Sequence, residues 1–162
     1  MKTDLDFMKE AYKEAVKAYK IGEVPVGCVI VYDGKVIARG YNRREKDESS
    51  LAHAEISAIK KASSKLNSWR LEGCTMYITL EPCVMCSGAI IQSRIPKVIY
   101  GAYDYRFGMH KSLMNLFDVP FNHKVDIKGG LMEEECKNLI KDFFKELREK
   151  KSCNLKSDML EL

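Results

Sequence analysis

Two short segments constrain this chain more than anything else in it: Ala52-His53-Ala54-Glu55 and, one helix and one strand later, Pro82-Cys83-Val84-Met85-Cys86. Each stands at the start of a helical pattern. Cα–Cβ bonds lean toward a helix's N-terminus, so side chains there reach the space ahead of the helix. His53 and Glu55 therefore reach ahead of one helix, and Cys83 and Cys86 ahead of another. A fold that uses these residues together must bring the two helix starts face to face.

The chain around them has the periodicities such a fold needs. From Asp6, the residues Met8, Ala11, Tyr12, Ala15, Ala18 and Tyr19 mark one face of an amphipathic helix that Gly22 ends. Val26 to Tyr32 and Lys35 to Tyr41 flank Asp33-Gly34, a dipeptide suited to a two-residue hairpin turn because both positions tolerate positive φ. Asn42 to Ser50 is a polar connection into a helix carrying Ile56, Ile59 and Leu66, after which Cys74 to Thr79 reads as a strand. A helix from about Cys83 to Ser93 follows, and Pro96 stops it. Val98 to Tyr100 forms a short strand, and Asp104 to Asn122 is mostly loop with a turn of helix around Leu113 to Phe117. Leu139, Ile140, Phe143, Phe144 and Leu147 share a face of a last helix. Strands alternating with helices after an opening hairpin give an α/β fold with a mixed sheet and helices on its faces.

At 162 residues and 46% hydrophobic content the chain is of single-domain size and can bury a core without disulfides. One domain is expected over 1–150, with a C-terminal tail over 151–162. Met1 to Asp6 lacks the basic and apolar regions of a signal peptide, and no stretch is long enough to cross a bilayer, so a cytoplasmic location and no membrane partner are expected. A reducing compartment makes the close pair Cys83 and Cys86 metal-binding or redox-active, and leaves Cys28 and Cys74 as small apolar packing groups. The net charge of +4 is compatible with a polyanionic partner and too small to establish one.

Three protein ligands, His53, Cys83 and Cys86, leave a fourth tetrahedral position of Zn²⁺ open for water, as in catalytic and not structural sites. Two thiolates and a hydroxide give such a centre negative charge, which two helix N-termini stabilise, and Pro82 suits a helix start. Zinc lowers the pKa of bound water from about 15.7 to about 7. Glu55 is placed to carry protons from that water to a base and then to its departing amine. A lone Cys-x-x-Cys also occurs as a redox pair or half of a structural zinc site; the preceding His-x-Glu is what disfavours both. His110 and His123 have no metal-ligand neighbours at suitable spacing and are expected in surface or hydrogen-bonded structural roles.

H-x-E followed by P-C-x-x-C is the known signature of zinc nucleobase deaminases, so the match is recognition of an established pattern. Gly22 to Gly27, Ala52 to Glu55, Thr79-Leu80-Glu81-Pro82-Cys83-Val84-Met85-Cys86, Ser93-Arg94-Ile95 and Phe121-Asn122-His123 extend it. On these stretches, from about Phe7 to Arg148, the chain resembles the bacterial tRNA adenosine deaminases of the TadA type, within the cytidine/deoxycytidylate deaminase superfamily. The resemblance implies a three-layer α/β/α fold around a mixed five-stranded sheet, one zinc per subunit and a homodimer. It implies conversion of adenosine to inosine at the wobble position of an arginine tRNA, with the anticodon stem-loop as partner. By the same resemblance, Asn42 and the backbone at Ala54 would hold the extruded base, Asp104, Asn122 and His123 would receive the anticodon loop, and Phe144 and Arg148 would contact flanking nucleotides. The chain departs from the family in its bulkier, more basic Tyr105 to Lys111 segment, and in Asp47 to Leu51, which lacks the common Asp-Pro-Thr pattern. Anticodon bases are already unpaired, which spares most of the few kcal/mol that extrusion from a duplex costs. Two rivals stand beside this reading: a superfamily enzyme acting on guanine or on cytosine or cytidine, and a noncatalytic RNA-binding subunit that keeps zinc for folding.

Overall fold

The computed structural model describes residues 1–160. Ten elements follow in order: α1 (Asp4–Lys20), β1 (Gly27–Tyr32), β2 (Lys35–Tyr41), α2 (Ala54–Leu66), β3 (Cys74–Leu80), α3 (Val84–Gln92), β4 (Lys97–Ala102), a short 3₁₀ turn (Leu116–Asp118), β5 (Asp126–Lys128) and α4 (Glu133–Leu160). The strands form one sheet in the order β2-β1-β3-β4-β5. β1 is antiparallel to both β2 and β3, while β3, β4 and β5 run parallel. This is the α/β fold and five-stranded mixed sheet expected from the sequence.

Alternation along the strands builds the three layers. Cys28 and Ile30 of β1, Met76 and Ile78 of β3, and Val98 and Tyr100 of β4 point to one face, where Ala54, Ala58 and Ala62 of α2 and Ile90 of α3 cover them. Val29, Val31, Tyr77 and Ile99 point to the other, against Phe7, Met8 and Ala11 of α1. α4 packs beside α1 on β3 and β4. Cys28 and Cys74 are fully buried in the first of these clusters, as packing groups should be.

The Asp33-Gly34 turn adopts the expected left-handed pair, φ 49° and 68°. Thr3 caps α1 and exchanges hydrogen bonds with Asp6, which starts that helix two residues before the expected Asp6. Two glycines allow the helices to sit close to the sheet. A Cβ on Gly27 would stand 2.1 Å from the Ala11 carbonyl of α1, and one on Gly40 would stand 2.2 Å from the Ala54 carbonyl, at the first residue of α2. Glycine at 40 thus sets the height of α2's N-terminus over β2.

The helical turn expected around Leu113 to Phe117 lies at Leu116–Asp118, where the Asn115 side chain accepts the Phe117 N–H. α4 runs through residue 150 without a break, so the described part of the expected tail, 151–160, is the exposed end of that helix; residues 161 and 162 lie outside the described residues. Among the described residues no helix is long and apolar enough to cross a membrane. All six cysteines are free.

Candidate metal centre and active site

β3 and β4 run parallel, so α3, which connects them, starts at the C-terminal edge of the sheet. α2 starts at the same edge, because β1 runs against both β2 and β3, so β2 runs in the direction of β3 and ends with Gly40 and Tyr41 beside Gly27 there. The two N-termini meet. His53 is the N-cap residue of α2 and Cys83 that of α3, both with extended backbone, φ −81° and −74°. Neither side chain caps its own helix. They turn toward each other instead.

His53 Nδ1 lies 3.7 Å from Cys83 Sγ and 3.5 Å from Cys86 Sγ. The three ligand atoms fall within 4.8 Å of one another, forming a group able to hold a metal ion. A tetrahedral centre with Zn–S near 2.3 Å and Zn–N near 2.0 Å spaces sulfur and nitrogen donors roughly 3.6 Å apart, so the donor set fits zinc in kind and in spacing. Cys86 is fully buried, whereas His53 and Cys83 are half-buried and leave the outer side open.

The electrostatics suit a cation. The neighbouring Cys86 side chain draws the Cys83 thiol down to about 4, against the opposing effect of burial. Cys86 itself is pushed far up, first by the Cys83 side chain and then by burial and the nearby Glu55. His53 is raised, first by its hydrogen bond with Cys83.

Glu55, in the first turn of α2, is 4% exposed and accepts from Cys86 Sγ at 3.3 Å. Burial pushes its carboxyl above the ordinary range. A carboxyl kept protonatable beside a metal group is a candidate general acid and base.

The other expected site residues fall into two sets. Near the metal group, Ala54 opens α2 and Asn42 follows β2. The Asn42 amide donates to the Val24 carbonyl at 3.2 Å and its oxygen accepts the Arg44 N–H, leaving one donor and one lone pair free. Asp104 follows β4 at the same edge, with its carboxylate accepting from Arg106 N and Phe107 N in its own loop. Phe144, 38% exposed, and exposed Arg148 project from α4, where Phe143 packs edge-on to Tyr19 at the end of α1.

Asn122 and His123 are different. His123 Nε2 is 2.7 Å from the Ile95 carbonyl, and Asn122 lines a cavity of about 380 Å³ with Ile91, Gln92, Arg94, Pro120 and Phe121. Both sit by the C-terminal end of α3, about 12 Å of helix from Cys83. Within one chain they are not brought to the metal group. His110 is buried, with Nδ1 2.7 Å from the Tyr100 hydroxyl, in the structural role expected of it.

Sequence reasoning missed two buried carboxylates that hold loops at this edge of the sheet. Glu23, 2% exposed, accepts from Glu45 N and Lys46 N in the loop after Asn42. Glu81, 1% exposed, accepts from Asp104 N, His110 N, Lys111 N, Ser112 N and the Ser112 hydroxyl. Burial raises its pKa, but these hydrogen bonds outweigh it and hold the carboxyl below the ordinary range. The signal available was a charged residue closing an apolar strand directly before Pro82.

Known proteins resemble this chain in sequence and in fold. The MafB19-like deaminase family matches residues 2–148. The tRNA-specific adenosine deaminase of Bacillus subtilis is 49% identical over 158 residues, 97% of this chain and 98% of that protein. A structure solved in work on A-to-I editing by tRNA:A34 deaminases at the wobble position of transfer RNA superposes with a TM-score of 0.79 at 42% identity, covering 82% of this chain and 97% of the other. A guanine deaminase from Nitrosomonas europaea superposes with a TM-score of 0.77 over 88% of this chain and 85% of its own, at 22% identity, a likeness of fold alone. Sequence, fold and the convergence of two helix starts all lead to one conclusion: this chain belongs to the family of the tRNA-specific adenosine deaminases.

Proposed function

We propose that the chain hydrolyses the exocyclic amine of adenosine at the wobble position of a tRNA anticodon, the arginine tRNA in the reading its sequence suggests, releasing ammonia and leaving inosine. The observation that carries this is the meeting of His53, Cys83, Cys86 and Glu55 at two helix N-termini, in a chain that is 49% identical to a tRNA-specific adenosine deaminase.

His53 Nδ1 and the sulfurs of Cys83 and Cys86 would hold one zinc ion, and their donor types and spacing support that identity over a hard, oxygen-liking cation. When bound, zinc supplies Lewis acidity that brings the pKa of a water molecule from about 15.7 down to about 7. Glu55 does the proton work. Its carboxylate takes the proton of the attacking water, delivers it to the ring nitrogen, and passes a second one to the departing amine. The upward push that burial gives its carboxyl suits that exchange near neutral pH.

The free donor of Asn42 and the backbone at Ala54 would orient the purine. Asp104, Phe144 and Arg148 share the edge of the metal group and would receive neighbouring nucleotides. Asn122 and His123, at the far end of α3, would meet RNA only across a second copy. The homodimer belongs to the same reading, and exposed Leu51 and Val84, two residues from His53 and next to Cys83, leave apolar surface at the rim that a second copy could cover. Six free cysteines support a reducing, cytoplasmic location.

Purified protein incubated with an anticodon hairpin, with guanine and with cytidine provides the test. Inosine should form in the hairpin, with one zinc per chain in the same sample. Turnover of guanine or cytidine alone would remove the tRNA reading, and a zinc-loaded protein inert on all three would leave the noncatalytic rival.

A further inference from the structure

Glu81 ends β3 two residues before Cys83, and its carboxylate is fully enclosed by one loop. Oε1 accepts Asp104 N at 3.1 Å and the Ser112 hydroxyl; Oε2 accepts His110 N at 3.0 Å, Lys111 N at 2.9 Å and Ser112 N at 3.2 Å. Among the described residues no Lys or Arg pairs with it, so backbone N–H dipoles and the Ser112 hydroxyl balance its charge. Gly108 lies over the carboxylate so closely that a Cβ there would stand 2.3 Å from Glu81 Cδ. The next residue, Met109, donates its N–H to the carbonyl of Pro82 at 3.1 Å. The loop is therefore tied both to Glu81 and to the residue that precedes Cys83. Its outer turn holds Tyr105, 76% exposed, Arg106 and Phe107, 62% exposed. Aromatic faces beside a guanidinium, displayed without apolar cover, suit the stacking of unpaired bases.

We propose that Glu81 is a positioning residue that holds the 104–112 loop in register with Cys83, so that Tyr105, Arg106 and Phe107 meet the nucleotides flanking the target base and RNA affinity, not the chemical step, depends on it. This rests on the tRNA reading above. The loop's departure from the family pattern gains a sense here: the cradle made by Glu81 and Gly108 sets where the outer turn sits, while its bulky residues set what it touches. Replacing Glu81 by Gln turns one acceptor oxygen into a donor. The Ser112 hydroxyl can rotate to accept from the new amide, but Asp104 N cannot, so the arm carrying Tyr105 to Phe107 is released.

Glu81→Gln is compared with the wild type in hairpin deamination, zinc content and hydrogen exchange. The expected result is a KM for the hairpin raised about tenfold, with kcat within about threefold and zinc unchanged, because the lost interaction acts on binding and not on the reacting atoms. Exchange of the 104–112 amides should rise by about tenfold or more while α2 and α3 stay protected. Gly108→Ala, which pushes on the carboxylate from the loop side, should give the same split, and decides the matter if Glu81→Gln does not fold. Loss of zinc, a fall in kcat at constant KM, or unchanged exchange in the loop would overturn the assignment. A wild type inert on the hairpin defeats the tRNA reading and, with it, the claim on RNA affinity; unchanged KM in both variants of an active enzyme defeats the role of Glu81 alone.

Discussion

The Sγ of Cys86 lies 3.3 Å from Oε2 of Glu55, so a candidate metal ligand and the candidate proton carrier form one wall of the same site. Neither is interchangeable with its neighbours in sequence: both are buried, and each shifts the other's protonation. A cation held by the two sulfurs would take the place of the Cys86 proton and leave the Glu55 carboxylate without that donor.

Glu55→Ala should keep metal and fold while deamination falls by about 10²-fold or more, the usual size of a general acid and base contribution. Zinc analysis and a thermal melt on the sample used for the inosine assay provide the check. Activity near the wild-type level would end the proton-carrier assignment.

Cys83→Ser and Cys86→Ser should each lose zinc and activity, because a hydroxyl offers no ready anion at neutral pH. The two should differ in stability. Cys86 is fully buried and Cys83 half-buried, so the Cys86 variant should melt lower. Dialysis of the wild type against a chelator should abolish activity, and added zinc should restore it.

Arg106, Lys111, Arg148, Lys150 and Lys151 are basic residues that could meet the phosphates of a bound hairpin. Hairpin affinity should fall linearly on a log–log plot against salt, and Arg148→Ala should lower that slope by about 0.7, the value for one single-strand phosphate contact. A slope unchanged by the substitution would mean that Arg148 is only solvated.

His110 is lowered by burial, then by Lys111, with Glu81 and Asp118 opposing. Its folded pKa therefore lies below the ordinary value of about 6.5. The unfolded chain takes up the proton first, so stability is complete above pH 6.5 and is lost as pH falls toward the folded pKa. With Nδ1 unprotonated, the Tyr100 hydroxyl donates to it; protonation removes that acceptor. His110→Gln keeps an acceptor without the titration, so urea unfolding of the zinc-loaded proteins from pH 7.5 to 5 should show a shallower decline, by at most about 1.4 kcal/mol per pH unit. Parallel declines would place the acid sensitivity elsewhere.

Much of this was legible from residue order because its causes are local. The apolar, β-branched run Val29 to Val31 and the Asp33-Gly34 turn prescribe a hairpin whatever lies around them, and His53, Glu55, Cys83 and Cys86 carry their chemistry in their side chains. β5 escaped notice because its three residues, Asp126 to Lys128, bury only Ile127 in part and owe their strand form to pairing with β4.

Residue order alone determined the ligand types, the helix starts that carry them and the α/β class, because donor chemistry and short-range periodicity belong to neighbours in the chain. Tertiary structure decided the distances from His53 Nδ1 to the two sulfurs, the enclosure of Glu81 by a loop up to 31 residues away, and the separation of Asn122 and His123 from the metal group. Those depend on which strands lie side by side and at which edge each helix begins. Such pairings are set by long-range burial, and no local pattern records them.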